Sequence, residues 1–138
     1  MQSADAARVA ALSTDLGYSS SSDEIARRFE RLEREAESVV LVAEADAGSV
    51  IGWVQAHGRS LLAADSYAEI GGLIVDRPAR RRGVGRALLG EVERWSREQG
   101  FTTLRVRANR TREDAESFYL GVGFARIKVQ NVFQRPLK

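Results

Sequence analysis

The feature that most constrains this chain is a strand-to-helix junction near its middle. Tyr67 to Val75 reads as a strand, and Asp76-Arg77-Pro78 ends it. From Val84 to Gln99 the apolar residues Val84, Leu88, Leu89, Val92 and Trp95 recur at helical spacing, with Gly100 as a stop. Between the two lies Arg80-Arg81-Arg82-Gly83-Val84-Gly85-Arg86. A helix entered through such a turn presents backbone N–H groups without intrahelical partners and a partial positive charge, which suits a phosphate. Gly83 and Gly85 remove side chains at the turn, while Arg80, Arg81, Arg82 and Arg86 add charge and donors for phosphate oxygens. A Walker A loop is excluded because no Gly-Lys-Ser/Thr follows, and a Rossmann fingerprint fails because its third glycine position is Leu88. A glycine turn that merely starts a helix remains the plain alternative at this point.

The flanking segments supply the rest of an α/β order. Asp5 to Leu16 has Val9, Leu12 and Leu16 at helical spacing, and a second helix carries Ile25, Phe29 and Leu32 on one face with Ser22 or Asp23 as its cap. Val39 to Ala43 and Ser49 to Ala56 read as a hairpin turning at Asp46-Ala47-Gly48, and a loop follows from His57 to Ser66. Gly71-Gly72 inside the next strand predicts a bulge or a close backbone approach. Thr102 to Ala108 alternates as a strand, and Glu113 to Leu120 forms a helix stopped by Gly121 or Gly123. Phe124 to Val129 with Val132 to Leu137 read as a final strand pair. Helical segments alternating with strands after an antiparallel hairpin imply a mixed sheet with helices on both faces. At 138 residues, without repeat or linker, the chain is read as one domain spanning 1–138.

Charge is distributed unevenly although the net value is only +2. Residues 1–76 hold six arginines against 13 acids, whereas residues 77–112 hold 11 arginines against three acids. The middle of the chain therefore attracts anions. The chain has no cysteine and one histidine, which excludes a thiolate metal site, a disulfide and a cysteinyl intermediate, and no metal is expected. No apolar run approaches the length of a membrane span, and residues 1–11 lack a leader pattern, so the cytoplasm is the expected location.

Arg80-x-x-Gly83-x-Gly85, placed after Leu73-Ile74-Val75 and opening a long amphipathic helix, resembles the R/Q-x-x-G-x-G/A signature of the GNAT family of acetyl-CoA-dependent N-acetyltransferases. Asn109 after the next strand and the segment Ala115-Glu116-Ser117-Phe118-Tyr119-Leu120-Gly121-Val122-Gly123-Phe124 continue the resemblance, which covers roughly residues 38–137. It implies an α/β (α+β) fold: a mixed, mainly antiparallel central sheet of about six or seven strands, flanked by about four helices, with a splayed pair of parallel strands. It also implies that Arg80, Arg81, Arg82, Gly83, Val84, Gly85 and Arg86 hold the diphosphate of coenzyme A. Backbone groups of Leu73 and Val75 would pair with the pantetheine arm, and Asn109 would reach the same arm. The family usually opens with a strand, and Met1-Gln2-Ser3 is too short to supply it, so the sheet is expected to lack that strand or to borrow one.

Acyl transfer to an amine needs a neutral amine, a stabilised oxyanion and a proton for the departing thiolate. Without cysteine, direct attack within a ternary complex is the natural route, assisted by proximity. Glu69 matches the position of a glutamate that serves some family members as a base acting through water. A solvent-facing or paired strand carboxylate is the alternative, and Asp65 or a water relay could take its place. Tyr119 stands where the family uses tyrosine toward the leaving sulfur, and a phenol, with an ordinary pKa of about 10, is protonated at neutral pH. Packing beside Phe118 is its plain alternative. A backbone N–H near Ile74 or Val75 would hold the oxyanion. His57 is left without a role, and Trp53 and Trp95 are read as core aromatics.

The function expected is thus N-acetyl transfer from acetyl-CoA to a primary amine of a small molecule or peptide. A non-catalytic acyl-CoA-binding or sensing domain is the alternative. Nucleic-acid binding is disfavoured because the arginines gather at one loop rather than over a face. Edge strands without proline or heavy charge favour pairing into a homodimer.

Overall fold

The computed structural model describes residues 1–15, 17–109 and 113–138. Leu16, expected on the stripe of the first helix, lies outside the described residues. The chain divides into two compact units, Met1–Arg107 and Ala108–Lys138. The first unit begins with a 3-10 turn at Ser3–Asp5, followed by helices α1 (Ala6–Asp15) and α2 (Ser22–Glu33). Strands β1 (Ser38–Glu44), β2 (Val50–Arg59) and β3 (Tyr67–Val75) come next. A 3-10 turn at Arg77–Ala79, helix α3 (Val84–Glu98) and strand β4 (Leu104–Val106) complete the unit. The second unit contains helix α4 (Glu113–Gly121).

The sheet order is β1-β2-β3-β4, with the first two pairings antiparallel and the third parallel. This is the mixed α/β arrangement that the sequence implies. The hairpin between β1 and β2 turns through Gly48 at φ +85°, with the Ala45 N–H donating to the Ser49 carbonyl at 2.8 Å. Two bulges then reset the faces, because side chains alternate along a strand and each extra residue reverses the alternation. Ala43 faces Gly52 but Glu44 faces Val50, so Ile51 is extra and Val50 turns to the side of Trp53. Gln55 faces Gly72 but Ala56 faces Ile70, so Gly71 is extra. As a result Trp53, Gln55 and His57 share a face with Ile74, Gly72 and Glu69, across the pairings Trp53–Ile74, Gln55–Gly72 and His57–Glu69.

Helices cover both faces. On the Trp53 face, Leu12 of α1 closes a cluster with Val50 and Ile74, against which Val42 and Trp53 pack. On the other face α3 lies directly on the sheet: a side chain at Gly52 would meet Leu88 at 3.3 Å and Val84 at 3.4 Å. Val54 of that face and Val92 of α3 are fully buried. Each such side chain contributes about 1.5–3 kcal/mol through loss of water contact. The two glycines of β3 are close-approach positions as well as a bulge. A Cβ at Gly72 would sit 2.7 Å from the Trp53 ring, and one at Gly71 would sit 2.0 Å from Gln55 Oε1.

Helix ends follow from local chemistry. Ser21, rather than Ser22 or Asp23, caps α2, in a reciprocal box where Ser21 Oγ accepts from the Glu24 amide at 3.1 Å and Glu24 accepts from the Ser21 amide at 3.0 Å. Gly100 at φ +88° ends α3, the Phe101 N–H donates to the Ser96 carbonyl at 2.9 Å, and the Phe101 ring meets Trp95.

The strand count corrects the sequence expectation. Among the described residues there are four strands, not six or seven, and residues 124–138 carry neither strand nor helix. Their alternation is real, but a two-stranded ribbon is marginal unless a neighbour supplies a ladder or a core covers one side. Ile127, Val132, Phe133 and Leu137 are instead exposed. β4 is shorter than Thr102 to Ala108, and its pairing with β3 stops at Ile70, where the Gly71 bulge breaks the ladder. Among the described residues no strand precedes β1, and the terminal ammonium of Met1 donates to the Val40 carbonyl at 3.1 Å. No helix among the described residues is long and apolar enough to cross a membrane.

Candidate active site

The junction between β3 and α3 is an uncapped helix entrance. Gly83 occupies the N-cap at φ +85°, without a side-chain cap, and the first intrahelical bond runs from the Ala87 N–H to the Gly83 carbonyl at 3.0 Å. Helix geometry leaves the amides of Val84, Gly85 and Arg86 without acceptors inside the helix. A Cβ built on Gly83 meets nothing within 4 Å, so the entrance is open. Arg80, Arg81, Arg82 and Arg86 are exposed around it. Arg81 adopts φ 62°, a left-handed conformation costly for a residue with a side chain, at the heart of this turn.

Two ties hold the turn. Arg80 Nε–H donates to the Val75 carbonyl at 3.1 Å, folding the turn back on the end of β3. From α1, Arg8 reaches the carboxylate of Asp76 at 2.7 Å and the Val50 carbonyl at 2.9 Å. The entrance is thus fixed to both the sheet and the first helix. It can hold a multiply charged anion between amides and guanidinium groups.

Next to this entrance β3 has an open edge. The Asp76 N–H donates to the Ile51 carbonyl at 2.8 Å, which makes the Gly52–Val75 pair, one residue earlier, a non-hydrogen-bonded pair. By alternation Leu73 and Val75 direct their N–H and C=O groups away from β2, and Ile74 directs its own toward Trp53. On that outer side β4 has already ended, since its pairing covers only Ala68 to Ile70. Leu73, with its N–H and C=O, and Val75, with its N–H, therefore present an edge to which an extended polar ligand can add, the Val75 carbonyl already accepting from Arg80, while Ile74 is buried toward α1.

Glu69 lies farther back on β3, on the Trp53 face, with its side chain only 10% exposed. Its two oxygens have different neighbours. Oε1 is 4.0 Å from His57 Nε2, directly across the β2–β3 pairing, and Oε2 is 3.6 Å from Arg107 Nε. On the far side of the imidazole, Gln55 Nε2 lies 3.2 Å from His57 Nδ1. Arg105, the register partner of Glu69 on β4, stacks its guanidinium over Tyr67 at 4.1 Å from the ring centroid, and its buried Nε has no hydrogen-bond partner among the described residues. Glu69 is therefore a paired, largely buried carboxylate rather than a solvent-facing one. Asp65 is exposed, in the connection before β3.

Sequence reasoning left His57 without a role, and it passed over Gln55 and Arg107. The signal was present in the alternation Trp53, Gln55, His57, but the facing residue on β3 depends on the Gly71 bulge. A register counted without that extra residue misplaces the partner by one and puts Glu69 on the wrong side.

Asn109 and Tyr119 belong to the second unit. Asn109 is exposed, just before residues outside the description. Tyr119 is half-buried on α4, its ring edge-on to Phe118 at 5.2 Å and to Phe124 at 5.5 Å. The Phe124 N–H donates to the Tyr119 carbonyl at 3.0 Å, and Gly123 turns at φ +101°. Arg126 pairs with Glu116. Tyr119 thus shares the aromatic packing expected of Phe118. Among the described residues no group of three or more acidic or histidine side chains could hold a metal.

A model of the acetyltransferase (GNAT) family matches residues 7–124. Aminoglycoside N(6')-acetyltransferase type 1 of Klebsiella aerogenes is 32% identical over 104 residues, which span 72% of this chain and 68% of that protein. The crystal structure of aminoglycoside 6'-N-acetyltransferase AAC(6')-Ih from Acinetobacter baumannii superposes with a TM-score of 0.85, at 19% identity, over 100% of this chain and 96% of that one. Aminoglycoside N-acetyltransferase AAC(6')-Iy in complex with CoA gives 0.87 at 18% identity, over 99% of this chain and 92% of that one. At these identities the structural likeness is one of fold. A helix entrance open to an anion, a free strand edge beside it and a family model that covers most of the chain agree: the chain belongs to the GNAT family of acetyltransferases.

Proposed function

We propose that this acetyltransferase carries the acetyl group of acetyl-CoA directly to a primary amine of a small polycationic molecule, of the amino-sugar class that its named relatives act on. The observation that carries the donor half is the open, uncapped start of α3 at Gly83 with its four exposed arginines. The diphosphate of coenzyme A matches this entrance in charge, and the pantetheine amides match the outward N–H and C=O of Leu73 and the outward N–H of Val75. The acceptor half is supported by the 13 acids against six arginines in residues 1–76, a balance that draws cations. The family model runs from one compact unit into the other, which supports one domain over 1–138. The cytoplasm and pairing into a homodimer remain part of this reading.

The chemistry then divides among this chain's residues. Glu69 takes a proton from the ammonium of the acceptor through water, leaving a neutral amine. The amine nitrogen attacks the thioester carbonyl, and of Ile74 and Val75 it is Val75, whose N–H points away from β2, that holds the oxyanion. As the C–S bond breaks, the thiolate takes the phenolic proton of Tyr119. The phenolate recovers a proton from the nitrogen of the collapsing intermediate. One proton, carried on Glu69, is released to solvent per turnover. Tyr119 enters from its place in the family's aromatic segment and from the match between a phenol and a thiolate leaving group. Asn109 is proposed to hydrogen-bond the pantetheine arm.

The donor is tested by thermal melting with acetyl-CoA, coenzyme A and ATP, since a ligand that binds only the folded chain raises its melting temperature. Both coenzyme forms should raise it and ATP should not; an equal rise with ATP, or none with coenzyme A, overturns the donor assignment. Release of thiol over a panel of aminoglycosides, polyamines and peptide lysines then sorts the acceptor class. Tyr119→Phe should lower kcat at least about tenfold while leaving the melting response to coenzyme A nearly intact.

A further inference from the structure

We propose that Arg8 of α1 is a positioning residue for the coenzyme site: it draws the Asp76 carboxylate away from its own turn, so that docking of α1 and binding of coenzyme A strengthen each other. This inference rests on the α3 entrance as the donor site.

Asp76 stands where β3 hands over to the turn. Its N–H donates to the Ile51 carbonyl at 2.8 Å, and its carbonyl accepts from the Ala79 N–H at 2.9 Å, which starts the 3-10 turn Arg77–Ala79 that leads to Arg80. An aspartate at the N-cap of a helical turn ordinarily accepts, through its side chain, from an N–H of that same turn. Asp76 occupies the N-cap here, yet its side chain makes no such bond among the described residues. Its Oδ2 accepts instead from Arg8, 68 residues earlier in the chain, at 2.7 Å. Pro78 has no N–H to offer, so a released carboxylate would compete with the Asp76 carbonyl for the Ala79 N–H. The turn would then re-aim, and the arginines and amides that follow it would move with it.

The fork of Arg8 suits this hold. Nε donates to the Val50 carbonyl at 2.9 Å while a terminal nitrogen reaches Asp76, so one guanidinium spans the start of β2 and the end of β3. Seating α1 does not require it, because Ala6, Val9, Ala10 and Leu12 are buried whereas Arg8 is only partly so. At the far end of the turn, Arg80 is tied to the Val75 carbonyl. The approach to α3 is thus held by α1 at Asp76 and by β3 at Arg80. Leu12 of the same helix covers Val50 and Ile74 on the face that carries Glu69 farther back, so the hold at Asp76 reaches the side of the sheet assigned to the acceptor. Coupling between two such places is reciprocal: if docked α1 favours coenzyme A, then coenzyme A favours docked α1 by the same factor.

The experiment pairs backbone hydrogen exchange over residues 6–15, with and without saturating coenzyme A, with calorimetric titration of coenzyme A in wild type, Arg8→Gln and Arg8→Lys. In wild type, coenzyme A should slow exchange in α1 about fivefold, the low end of couplings between sites. Arg8→Gln should bind coenzyme A about fivefold more weakly, and the slowing of α1 should vanish. A residue that merely holds the fold would speed exchange in α1 with and without coenzyme A alike and leave the slowing in place. Arg8→Lys keeps the positive charge but has one nitrogen where two are used, so it should follow Arg8→Gln. Wild-type affinity together with wild-type slowing in Arg8→Lys would reduce Arg8 to its charge and overturn the inference. Exchange in wild-type α1 that is indifferent to coenzyme A overturns it too, as does slowing that persists in Arg8→Gln. Wild type that fails to bind coenzyme A at all removes the donor site itself, whereas wild type that binds it without a response in α1 removes only the role of Arg8.

Discussion

Gly83 shows how much one residue without a side chain can decide. Its φ of +85° is in the region where an L side chain costs about 1–2 kcal/mol, and a Cβ there would project into open space without packing in return. Gly83→Ala should therefore lower the melting temperature by a few degrees. It should also raise the KM for acetyl-CoA about tenfold with little change in the KM for the amine, as steady-state kinetics can read directly. The turn at Gly83 was legible in the sequence from glycine before a helical apolar spacing, while its reading as a phosphate site came from the resemblance of Arg80-x-x-Gly83-x-Gly85 to the family signature. The partners of Glu69 were not legible. Its place on a strand could be read from the segment Tyr67 to Val75, but which side chains surround it depends on one extra residue at Gly71.

At the level of elements, α3 could be read almost to the residue, since its apolar spacing, its glycine entrance and the Gly100 stop all point to the same helix. The hairpin of β1 and β2 and the strand β3 were equally plain, being bounded by turn residues. The last two expected strands failed for a physical reason: alternation from Phe124 to Leu137 specifies a face, while a strand also needs a neighbour's backbone. One cross-element tie was invisible in the sequence, the link from Arg8 of α1 to Asp76 and Val50. Being only partly buried, this link is expected to contribute about 1 kcal/mol. Arg8→Ala and Asp76→Asn should each lower the melting temperature by about 3–5 °C. The double substitution should cost less than the two single effects together, because both remove the same pair. Strict additivity in that cycle would show that the ion pair does not fasten α1 to the end of β3.

For the whole molecule, charge is sorted along the chain, with 13 acids against six arginines up to residue 76 and 11 arginines against three acids from 77 to 112. A donor bearing phosphates is drawn to the second stretch by a field that salt screens. Raising ionic strength from about 50 to about 500 mM shortens the Debye length several-fold and should raise the KM for acetyl-CoA several-fold, with kcat little changed. A salt-independent KM would mean that the amides at Val84, Gly85 and Arg86 hold the donor without help from the arginines. The Gly71 bulge has a consequence at this scale too. It acts as a spatial reading frame: everything upstream of it in β3 is phased to one side of the sheet by a single surplus residue. A regular ladder that paired Gly71 with Ala56 would exchange the addresses of Glu69 and Ile70, turning the carboxylate to the side of α3 and an isoleucine toward His57. Catalysis and core would then fail together, though no side chain had been altered.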